Sequence, residues 1–281
     1  MTLVTQGVFD RPKATLLSEG PARHERLARL TAEHPELGSV APFWLAIHQA
    51  QLDTWTTLAA LPLPAWTPCR NKWTNGQPQV EFHHLGLTPR ALDESIGKLE
   101  ATWRLHDPSR AAAQETDWTA RAIEVLADPT RWFGQRRELA FEDALIALAL
   151  QPHLEWLAAT VMQAIEGELD AWEQGCCPAC GGWPDLAVLL GEPATRSLVC
   201  GRCGSAWPFR RVGCPFCGDL ERQVYYPSDD GKARLDACES CRRYLKTLEG
   251  RYLTGGLDPH VTRLATIAMD VAALKAGYGP A

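Results

Sequence analysis

Four pairs of cysteines, each separated by two residues, dominate the C-terminal part of this chain of 281 residues. They use eight of its 10 cysteines and leave Cys69 and Cys176 outside the pattern. A two-residue gap lets both sulfurs of a tight turn point at one metal ion, and four thiolates held together repel one another unless a cation lies between them. The pattern therefore predicts two metal sites. The predicted ligands are Cys177, Cys180, Cys200, Cys203, Cys214, Cys217, Cys238 and Cys241.

The spacing between the pairs favours two sites built one after the other along the chain. Nineteen residues separate Cys180 from Cys200 and twenty separate Cys217 from Cys238, whereas ten lie between the second and third pairs. The chain thus repeats one unit: a Cys-x-x-Cys turn, here called a knuckle, then a hairpin, then a second knuckle. A cross-braced arrangement, in which the first and third pairs share a site, is the alternative, because loop-closure entropy changes slowly with loop length.

The residues around the cysteines refine this prediction. Glycine follows the second cysteine of the first three pairs, where a left-handed backbone suits the turn. Arg242 takes that place in the fourth pair, so its turn is expected to be strained or differently shaped. Cys176 is an alternative ligand to its neighbour Cys177, but the Cys-Pro-x-Cys-Gly form that recurs at Cys214 favours Cys177.

Four protein thiolates also limit the chemistry of each site. They close the shell of a tetrahedral ion and leave no position for water or substrate, so metal-assisted hydrolysis is not expected. Spacing does not separate zinc from iron, since both accept four sulfurs. Structural zinc adds on the order of 10 kcal/mol to the folding of small peptides, and a region this poor in apolar runs is expected to need its metal.

The cysteine-rich region lies between a helical half and a final helix. Up to about residue 174 the apolar residues recur at helical spacing, which predicts five or six helices; beyond it, six apolar runs have the length of strands. The predicted fold is multidomain α+β: an N-terminal all-α domain, two tandem four-cysteine β units and a C-terminal helix. The predicted domain boundaries are 1–174, 175–212, 213–256 and 257–281.

Several helix ends have recognisable signals. Thr88 is predicted to cap one helix, and Asp258 to cap a single C-terminal helix that stops at Gly277. Two further helical patterns, at 137–151 and 153–174, predict two separate helices.

Composition indicates the cellular compartment and excludes some classes of binding partner. The net charge of −6 argues against a general nucleic-acid or anionic-membrane binder. The first residues lack the basic start and apolar core of a secretory signal, and no run of apolar residues is long enough to span a membrane. A cytoplasmic protein is therefore expected. The reducing cytoplasm disfavours structural disulfides, which supports metal ligation by the cysteines.

Residues outside the cysteine pairs give weaker signals. His83 and His84 lack a Glu or Cys at ligand spacing, so a metal role is not expected for them. Cys69 stands alone in a loop and is expected to be a bystander thiol. The tryptophans of the helical half fall mostly at core-facing spacing, which predicts packing and not a cofactor site.

The order of these features resembles the formate dehydrogenase accessory protein FdhE family. The resemblance lies in "CPACG", in "RSLVCGRCGSAWPFRRVGCPFCG" and in "DACESCRRYLKTLEGR" before a C-terminal helix. The helical half adds the less distinctive "RLARLTAEHPELGSVAPFWLAIHQAQ". All four cysteine pairs of the family pattern are intact in this chain.

The resemblance implies a fold and a function. It implies a helical domain followed by two rubredoxin-like (or zinc-ribbon-like) metal sites on the eight cysteines, with two metal ions bound, iron in preference to zinc. It implies a cytoplasmic maturation factor that is not an enzyme, acts on the catalytic subunit of a respiratory formate dehydrogenase and is needed for its activity. The oligomeric state stays open and includes a homo-oligomer.

Five arginines near the metal ligands are candidates for partner contacts, because arginine is enriched at protein interfaces. Residues 176–252 contain 11 Lys and Arg against 9 Asp and Glu. An equal alternative is that these arginines offset the negative charge of the thiolate sites. The candidates are Arg202, Arg210, Arg211, Arg242 and Arg243.

Two other function classes remain as alternatives. A nucleic-acid-binding zinc ribbon would use the same knuckles, but the acidic total charge and the lack of a basic stripe count against it. A thiol–disulfide oxidoreductase would place one Cys-x-x-Cys at a helix start within a βαβ unit, which this sequence does not show.

Overall fold

The computed structural model describes residues 13–112, 116–128, 139–191, 194–253 and 256–279. Within these ranges a helical N-terminal half is followed by one six-stranded sheet and by C-terminal helices. This is the predicted order of helices, four-cysteine β units and C-terminal helical segment. The prediction that the chain lacks a secretory signal concerns its first residues, of which 1–12 lie outside this description.

Helix starts in the N-terminal half are set by capping side chains. The Thr88 hydroxyl accepts a hydrogen bond from the Ala91 N–H at 3.2 Å, which confirms the predicted cap, and the Asp117 carboxylate accepts one from the Ala120 N–H at 2.9 Å. Such caps satisfy amides that have no intrahelical partner. The described helices of this half are α1 (Lys13–Glu33), α2 (Val40–Ala60), α3 (Arg70–Thr74), α4 (Pro89–His106), α5 (Trp118–Ala127) and α6 (Phe141–Ile165), with 3₁₀ turns at Pro35–Leu37, Phe82–Leu85 and Glu166–Ala171.

Helix α6 forms the centre of this half and packs against α2, α4 and α5. Residues 144–150 are buried without interruption, as expected for a helix surrounded by others. The stretch Phe141–Ala171 is the one helical segment of the described chain that is long and apolar enough to cross a membrane. Its most apolar window is 72% buried inside the protein, as in the core helix of a globular fold.

The prediction of two helices on either side of Pro152 is wrong, because α6 runs through this residue. Proline lacks an N–H and leaves the carbonyl four residues earlier, that of Leu148, without its usual donor. The Gln51 side chain of α2 replaces that donor, with its Nε2 donating to Leu148 O at 2.8 Å. A tertiary contact thus compensates for a local helix breaker.

The six predicted strands form one continuous sheet. The first three and the last three strands each pair antiparallel, and the two sets are joined where β1 lies parallel to β6, with Leu186 opposite Lys246. The two four-cysteine units therefore share their hydrogen-bonded framework. The order is β3-β2-β1-β6-β5-β4, and the strands are β1 (Pro184–Leu190), β2 (Thr195–Cys200), β3 (Ala206–Phe209), β4 (Gln223–Pro227), β5 (Ala233–Cys238) and β6 (Tyr244–Glu249).

Alternate residues of the central strands face opposite sides of the sheet. Ala187 and Leu245 belong to the same apolar core as the helices of the N-terminal half, whereas Leu186 and Leu248 pack in a second cluster with Leu257. Both faces of the sheet centre are therefore covered, and the sheet lies between the N-terminal helices and the C-terminal segment.

The C-terminal segment forms two helices, α7 (Pro259–Ala265) and α8 (Ile267–Lys275), where the sequence predicted one. Its predicted start is confirmed, since the Asp258 carboxylate accepts from the His260 N–H at 3.1 Å. The break lies at Thr266, whose hydroxyl donates to Thr262 O at 2.7 Å. Hydroxyls that bond back to a preceding turn bend helices in this way.

Buried ion pairs fix the start of α7 to the N-terminal helices. Glu155 of α6 accepts hydrogen bonds from Arg23 and His260, and Asp258 pairs with Arg23 and Arg26. Arg23 and Glu155 are only 1% and 4% exposed, so each charge depends on the others for compensation. These contacts join the last helices to the first ones.

Candidate metal centres

All four knuckles have the same backbone geometry. In each, the N–H of the first cysteine donates to the carbonyl five residues later, and the N–H four residues later donates back to the carbonyl of the first cysteine. These bonds hold each turn closed. The first type joins Cys177 to Gly182 and Cys200 to Ser205 at 2.8 Å, Cys214 to Asp219 at 2.8 Å and Cys238 to Arg243 at 2.9 Å; the second joins Gly181 to Cys177 at 2.9 Å, Gly204 to Cys200 at 3.1 Å, Gly218 to Cys214 at 3.0 Å and Arg242 to Cys238 at 2.9 Å.

The fourth knuckle keeps this shape although it lacks the glycine. Gly181, Gly204 and Gly218 have φ angles of 73°, 68° and 80°, and Arg242 adopts 59°, the one positive φ of a non-glycine residue in the described ranges. A side chain in this left-handed region costs roughly 1–2 kcal/mol. The Arg242 guanidinium offsets part of that cost, since it donates to the carbonyl of Ala276 at 3.2 Å.

The first two knuckles bring their four sulfurs together. Cys180 Sγ lies 3.5 Å from Cys200 Sγ and 3.4 Å from Cys203 Sγ, and Cys177 Sγ lies 3.7 Å from Cys203 Sγ. All four side chains are buried, with at most 5% exposure. This cluster, the first centre, lies in the apolar core shared by the helices and the sheet.

The last two knuckles form the second centre. Cys214 Sγ lies 3.6 Å from Cys241 Sγ, and Cys217 Sγ lies 3.6 Å from Cys238 Sγ. Cys217 is exposed and Cys241 is half-buried, so solvent reaches this centre. The pairs are thus grouped in sequence along the chain, and the cross-braced alternative does not occur.

The sulfur positions fit a tetrahedral ion. Four sulfurs at about 2.3 Å from one ion stand about 3.8 Å from each other, and the eight sulfurs fall into two groups with every separation below 4.8 Å. A disulfide would need about 2.0 Å. Four-sulfur donor sets suit zinc or iron. Each centre thus has the donors and spacing to hold one such ion, with the whole shell supplied by the protein.

Thiols packed this closely resist ionisation without a cation. Burial raises the pKa of Cys177 well above its usual value, and neighbouring cysteines add to the effect. In the second centre burial raises the pKa of Cys241 to about 11. Cys200 and Cys238 are exceptions, because burial raises the pKa of each but hydrogen bonds outweigh it. Hydrogen bonds with the other three cysteines of the first centre lower the pKa of Cys200 well below its usual value. Donors that include the N–H groups of Cys241 and Ser240 lower the pKa of Cys238 to about 7. Metal binding must therefore displace protons.

Arg202 does not lie where a partner can reach it, which corrects its assignment as a partner-binding residue. It is 1% exposed and lies between the first centre and the end of α5. Its guanidinium donates to the carbonyls of Val125 at 3.1 Å, Leu126 at 2.9 Å and Asp128 at 3.0 Å. Its position beside four sulfurs supports the alternative hypothesis, in which the arginine offsets the negative charge of the thiolates.

The other four arginines lie around the second centre. Arg210 and Arg211 are exposed, and Arg210 donates to Gly218 O at 3.2 Å. Arg242 is 47% exposed and pairs with Glu239. Arg243 is half-buried, with its guanidinium 5.6 Å from the centre of the Phe216 ring. Arg210 and Arg211 are therefore the most accessible of the five candidates.

The remaining sequence candidates stay apart from these centres. Within the described ranges, the groups of cysteine, histidine and carboxylate side chains close enough to share an ion are the two cysteine clusters. Cys176 lies outside the cluster that contains Cys177, and Cys69 is exposed. The ring centres of His83 and His84 lie 3.8 Å apart, with the two rings tilted by 40° to each other.

One residue next to the first centre has no signal in the sequence. Arg263 of α7 donates to the Cys200 carbonyl at 2.8 Å and to the Asp185 carboxylate at 3.0 Å. It therefore connects the C-terminal helices to a knuckle of the first centre. Only the fold places it there, since 63 residues separate the two partners.

Comparison with known proteins gives one family name. The "Protein FdhE homolog" of Shewanella baltica (strain OS223) is 30% identical over 111 residues, and that of Shewanella sp. (strain MR-4) is 33% identical over 113 residues. These matches span only 36% of the length of either relative and 38% of this chain. The "Protein FdhE homolog" of Rhizobium meliloti (strain 1021) is 25% identical over 280 residues, which cover 92% of this chain and 85% of the relative.

A solved structure shows the same fold. The crystal structure of the FdhE protein from Pseudomonas aeruginosa superimposes with a TM-score of 0.64 at 22% identity, and the match covers 97% of this chain and 95% of that one. No family model matches the chain. The chain is thus similar in sequence to proteins named FdhE homolog and has the fold of an FdhE protein.

Proposed function

We propose that this protein is a non-catalytic accessory factor for a respiratory formate dehydrogenase. It would act in the cytoplasm, bind the catalytic subunit and be needed for the activity of that enzyme without oxidising formate itself. The observation that carries the proposal is the pair of closed four-cysteine centres in a chain that is similar to FdhE proteins in sequence and fold. A centre whose shell is filled by protein thiolates offers no position to a substrate.

The eight cysteines are the proposed ligands of two ions, with iron preferred over zinc. Cys177, Cys180, Cys200 and Cys203 would hold the first ion, and Cys214, Cys217, Cys238 and Cys241 the second. Iron would supply a one-electron change between ferric and ferrous states, whereas zinc would supply structural stability alone. The protein contributes the closed turns, the burial of the first centre and the nearby cation of Arg202.

The proposed docking surface lies beside the second centre. We call it the second-centre face and define it by Arg210, Arg211, Val212, Cys217 and Leu220, all of which are exposed. Val212 is 52% and Leu220 57% exposed, so two large apolar side chains lie among the cations. Arginine beside apolar residues is the composition that protein interfaces favour. The first centre is buried and offers no comparable surface.

A pull-down with the purified catalytic subunit tests this proposal. The chain is purified without oxygen, its metal content is measured, and its visible spectrum is recorded, since ferric four-sulfur centres absorb visible light and zinc centres do not. We expect two ions per chain and retention of the catalytic subunit. Changing both Arg210 and Arg211 to Glu should weaken retention about tenfold or more and leave the metal content unchanged.

The matched control changes Arg90 and Arg104 of α4 to Glu, because these exposed residues give the same change of charge away from the second-centre face. The control should retain the catalytic subunit like the unchanged protein. Equal retention by both double variants would contradict the docking surface. Failure of the unchanged, metal-loaded protein to bind the subunit would contradict the proposed function itself.

A further inference from the structure

A cavity of about 270 Å³ lies where α1, α2 and the C-terminal helices meet one face of the sheet. This volume is close to the lower end, about 300 Å³, of the range for small-molecule sites. One part of its wall is apolar and includes Trp44, Ile47 and Ile267. The rest is polar, and three of its side chains have hydrogen-bonding groups without a protein partner.

His48 is the first of these side chains. It is 2% exposed, and neither of its ring nitrogens has a hydrogen-bond partner. Burial, with the nearby His260 and Arg23, lowers its pKa to about 3, so the ring is neutral near pH 7 and has one donor and one acceptor. Buried polar groups are seldom left without a partner, and such a group calls for a bound molecule.

Lys246 is the second side chain of the cavity wall with unpaired hydrogen-bonding groups. This side chain of β6 is 3% exposed, and its ammonium donates to the Asp270 carboxylate at 2.7 Å. Asp270 also accepts from the Tyr244 hydroxyl at 2.7 Å. An ammonium has three donor hydrogens, and the structure gives Lys246 one acceptor. Two donors of a buried cation are therefore left over beside the cavity.

Arg263 is the third side chain of the cavity wall with an unpaired hydrogen-bonding group. Its Nε and Nη2 groups donate to the Asp185 carboxylate and to Cys200 O, and its Nη1 group has no acceptor. Both carboxylates on the cavity wall, Asp185 and Asp270, thus already accept from its two cations, Lys246 and Arg263. What remains unpaired on the polar wall is chiefly N–H donors. The wall therefore has an excess of donors and a formal charge of zero.

We propose that this cavity binds a small organic carboxylate. The carboxylate would accept hydrogen bonds from Lys246, Arg263 and His48, and the carbon body would pack against the apolar wall of Trp44, Ile47 and Ile267. An acceptor group fits the excess of donors, and a single negative charge fits a wall whose own charges cancel. The volume and the apolar surface call for a carbon body larger than a bare anion. This site is independent of the docking function proposed above.

Ordered water is the competing occupant. At about 30 Å³ per molecule, about nine waters would fill 270 Å³ and could satisfy the same donors. They would also leave the rings and methyl groups of the apolar wall hydrated inside the protein, which is unfavourable. A carboxylate with an apolar body satisfies both parts of the wall at once.

Isothermal titration calorimetry on the full-length, metal-loaded protein tests the proposal. The probes are four carboxylates of increasing size (acetate, butanoate, benzoate and 3-phenylpropanoate) and two analogues of the last, 3-phenylpropanamide and 3-phenylpropylamine. We expect at least one carboxylate with an apolar body to bind with a Kd below about 1 mM. We also expect 3-phenylpropanoate to bind about tenfold more tightly than the amide or the amine.

Two variants connect binding to the cavity. His48→Phe removes a donor that makes no hydrogen bond within the protein, so the variant should fold and bind carboxylates about tenfold more weakly. Ile267→Phe fills the cavity from α8 and should weaken binding at least as much. The matched control is Val271→Phe, one turn along the same helix at a side chain 46% exposed, which should bind as the unchanged protein does.

Three outcomes would overturn the proposal. The first is that none of the carboxylates binds at millimolar concentration, which would mean that the cavity holds water only. The second is equal binding of the acid, the amide and the amine. The third is carboxylate binding that Ile267→Phe leaves unchanged, because binding would then lie elsewhere on the protein.

Discussion

At the scale of single residues, Arg202 shows how one side chain connects a metal centre with a helix. Its guanidinium reaches three carbonyls at the end of α5 and, at 3.4 Å, the carbonyl of Cys180. The end of a helix and a group of thiolates are both negative, so one cation stabilises both. Burial lowers the pKa of Arg202 while the cysteines oppose that change, and an arginine stays charged in such surroundings.

The first prediction concerns this residue. Arg202→Met keeps most of the apolar stem but removes the donors, which leaves several carbonyls without their partner. We expect the free energy of unfolding of the metal-loaded protein to fall by about 3 kcal/mol or more, measured by urea denaturation. Arg211→Met, at an exposed position, is the control and should change it by about 0.5 kcal/mol at most. Similar losses in both variants would refute the role given to Arg202.

At the scale of elements, α6 stays intact across Pro152 because another helix supplies the missing donor. The Leu148 carbonyl, which proline cannot satisfy, accepts from Gln51 of α2 instead. Contacts between α2 and α6 therefore include one hydrogen bond that substitutes for part of the helix's own ladder. Gln51 and Pro152 are therefore predicted to be energetically coupled, although they form no hydrogen bond with each other.

A double-mutant cycle tests this coupling. Gln51→Leu alone should lower the free energy of unfolding by about 1–3 kcal/mol, because the Leu148 carbonyl loses its partner in the core. In a Pro152→Ala background the new N–H can bond to that carbonyl, so the same Gln51→Leu change should cost about 1 kcal/mol less. The measurement is urea unfolding of the four proteins. Identical costs in both backgrounds would rule out the compensation.

These elements also show how far local sequence signals reach. The caps at Thr88 and Asp258 were predictable because the capping group lies within three residues of its partner. The continuity of α6 was not, since it depends on Gln51, about 100 residues from Pro152. The break at Thr266 was missed because a single hydroxyl within a helical pattern does not by itself indicate an end.

The candidate metal centres likewise include features that the sequence predicts and features that depend on the fold. The eight cysteines and their grouping were predictable, because the spacing reflects the geometry of the knuckles and of a repeated unit. The burial of Arg202 and the placement of Arg263 against Cys200 depend on tertiary packing, for which the sequence has no local signal. The cavity around His48 likewise exists only where three parts of the fold meet.

At the scale of the whole molecule, the two centres have different surroundings. The first lies between the N-terminal helices and the sheet, and its sulfurs are almost completely shielded from solvent. The second is formed by the knuckles that flank β4, β5 and β6, the other half of the sheet, and its Cys217 is exposed. Ligand loss at an exposed sulfur needs no opening of the core, whereas loss from the first centre requires local unfolding.

The two centres should therefore release their ions at different rates. With excess chelator at neutral pH, we expect two phases of one ion each, the faster at least tenfold faster than the slower. Acid should speed release, because protons compete with the ion for thiols whose pKa values burial raises. Release is followed by an indicator dye for zinc or by loss of visible absorbance for iron.

Replacing one exposed ligand assigns the phases. Cys217→Ser should bind one ion per chain and keep only the slow phase, with the fold preserved by circular dichroism. A single phase in the unchanged protein, or a fast phase that persists in Cys217→Ser, would contradict this assignment of the centres.

The parallel seam between β1 and β6 determines how this chain can be divided. Both seam strands are central and largely buried, so a cut between the two units would leave each half-sheet with a bare inner edge. Neither unit is thus an independently folding module of the kind from which modular zinc proteins are assembled. Gene fusion or recombination that preserves the fold has to transfer both units together.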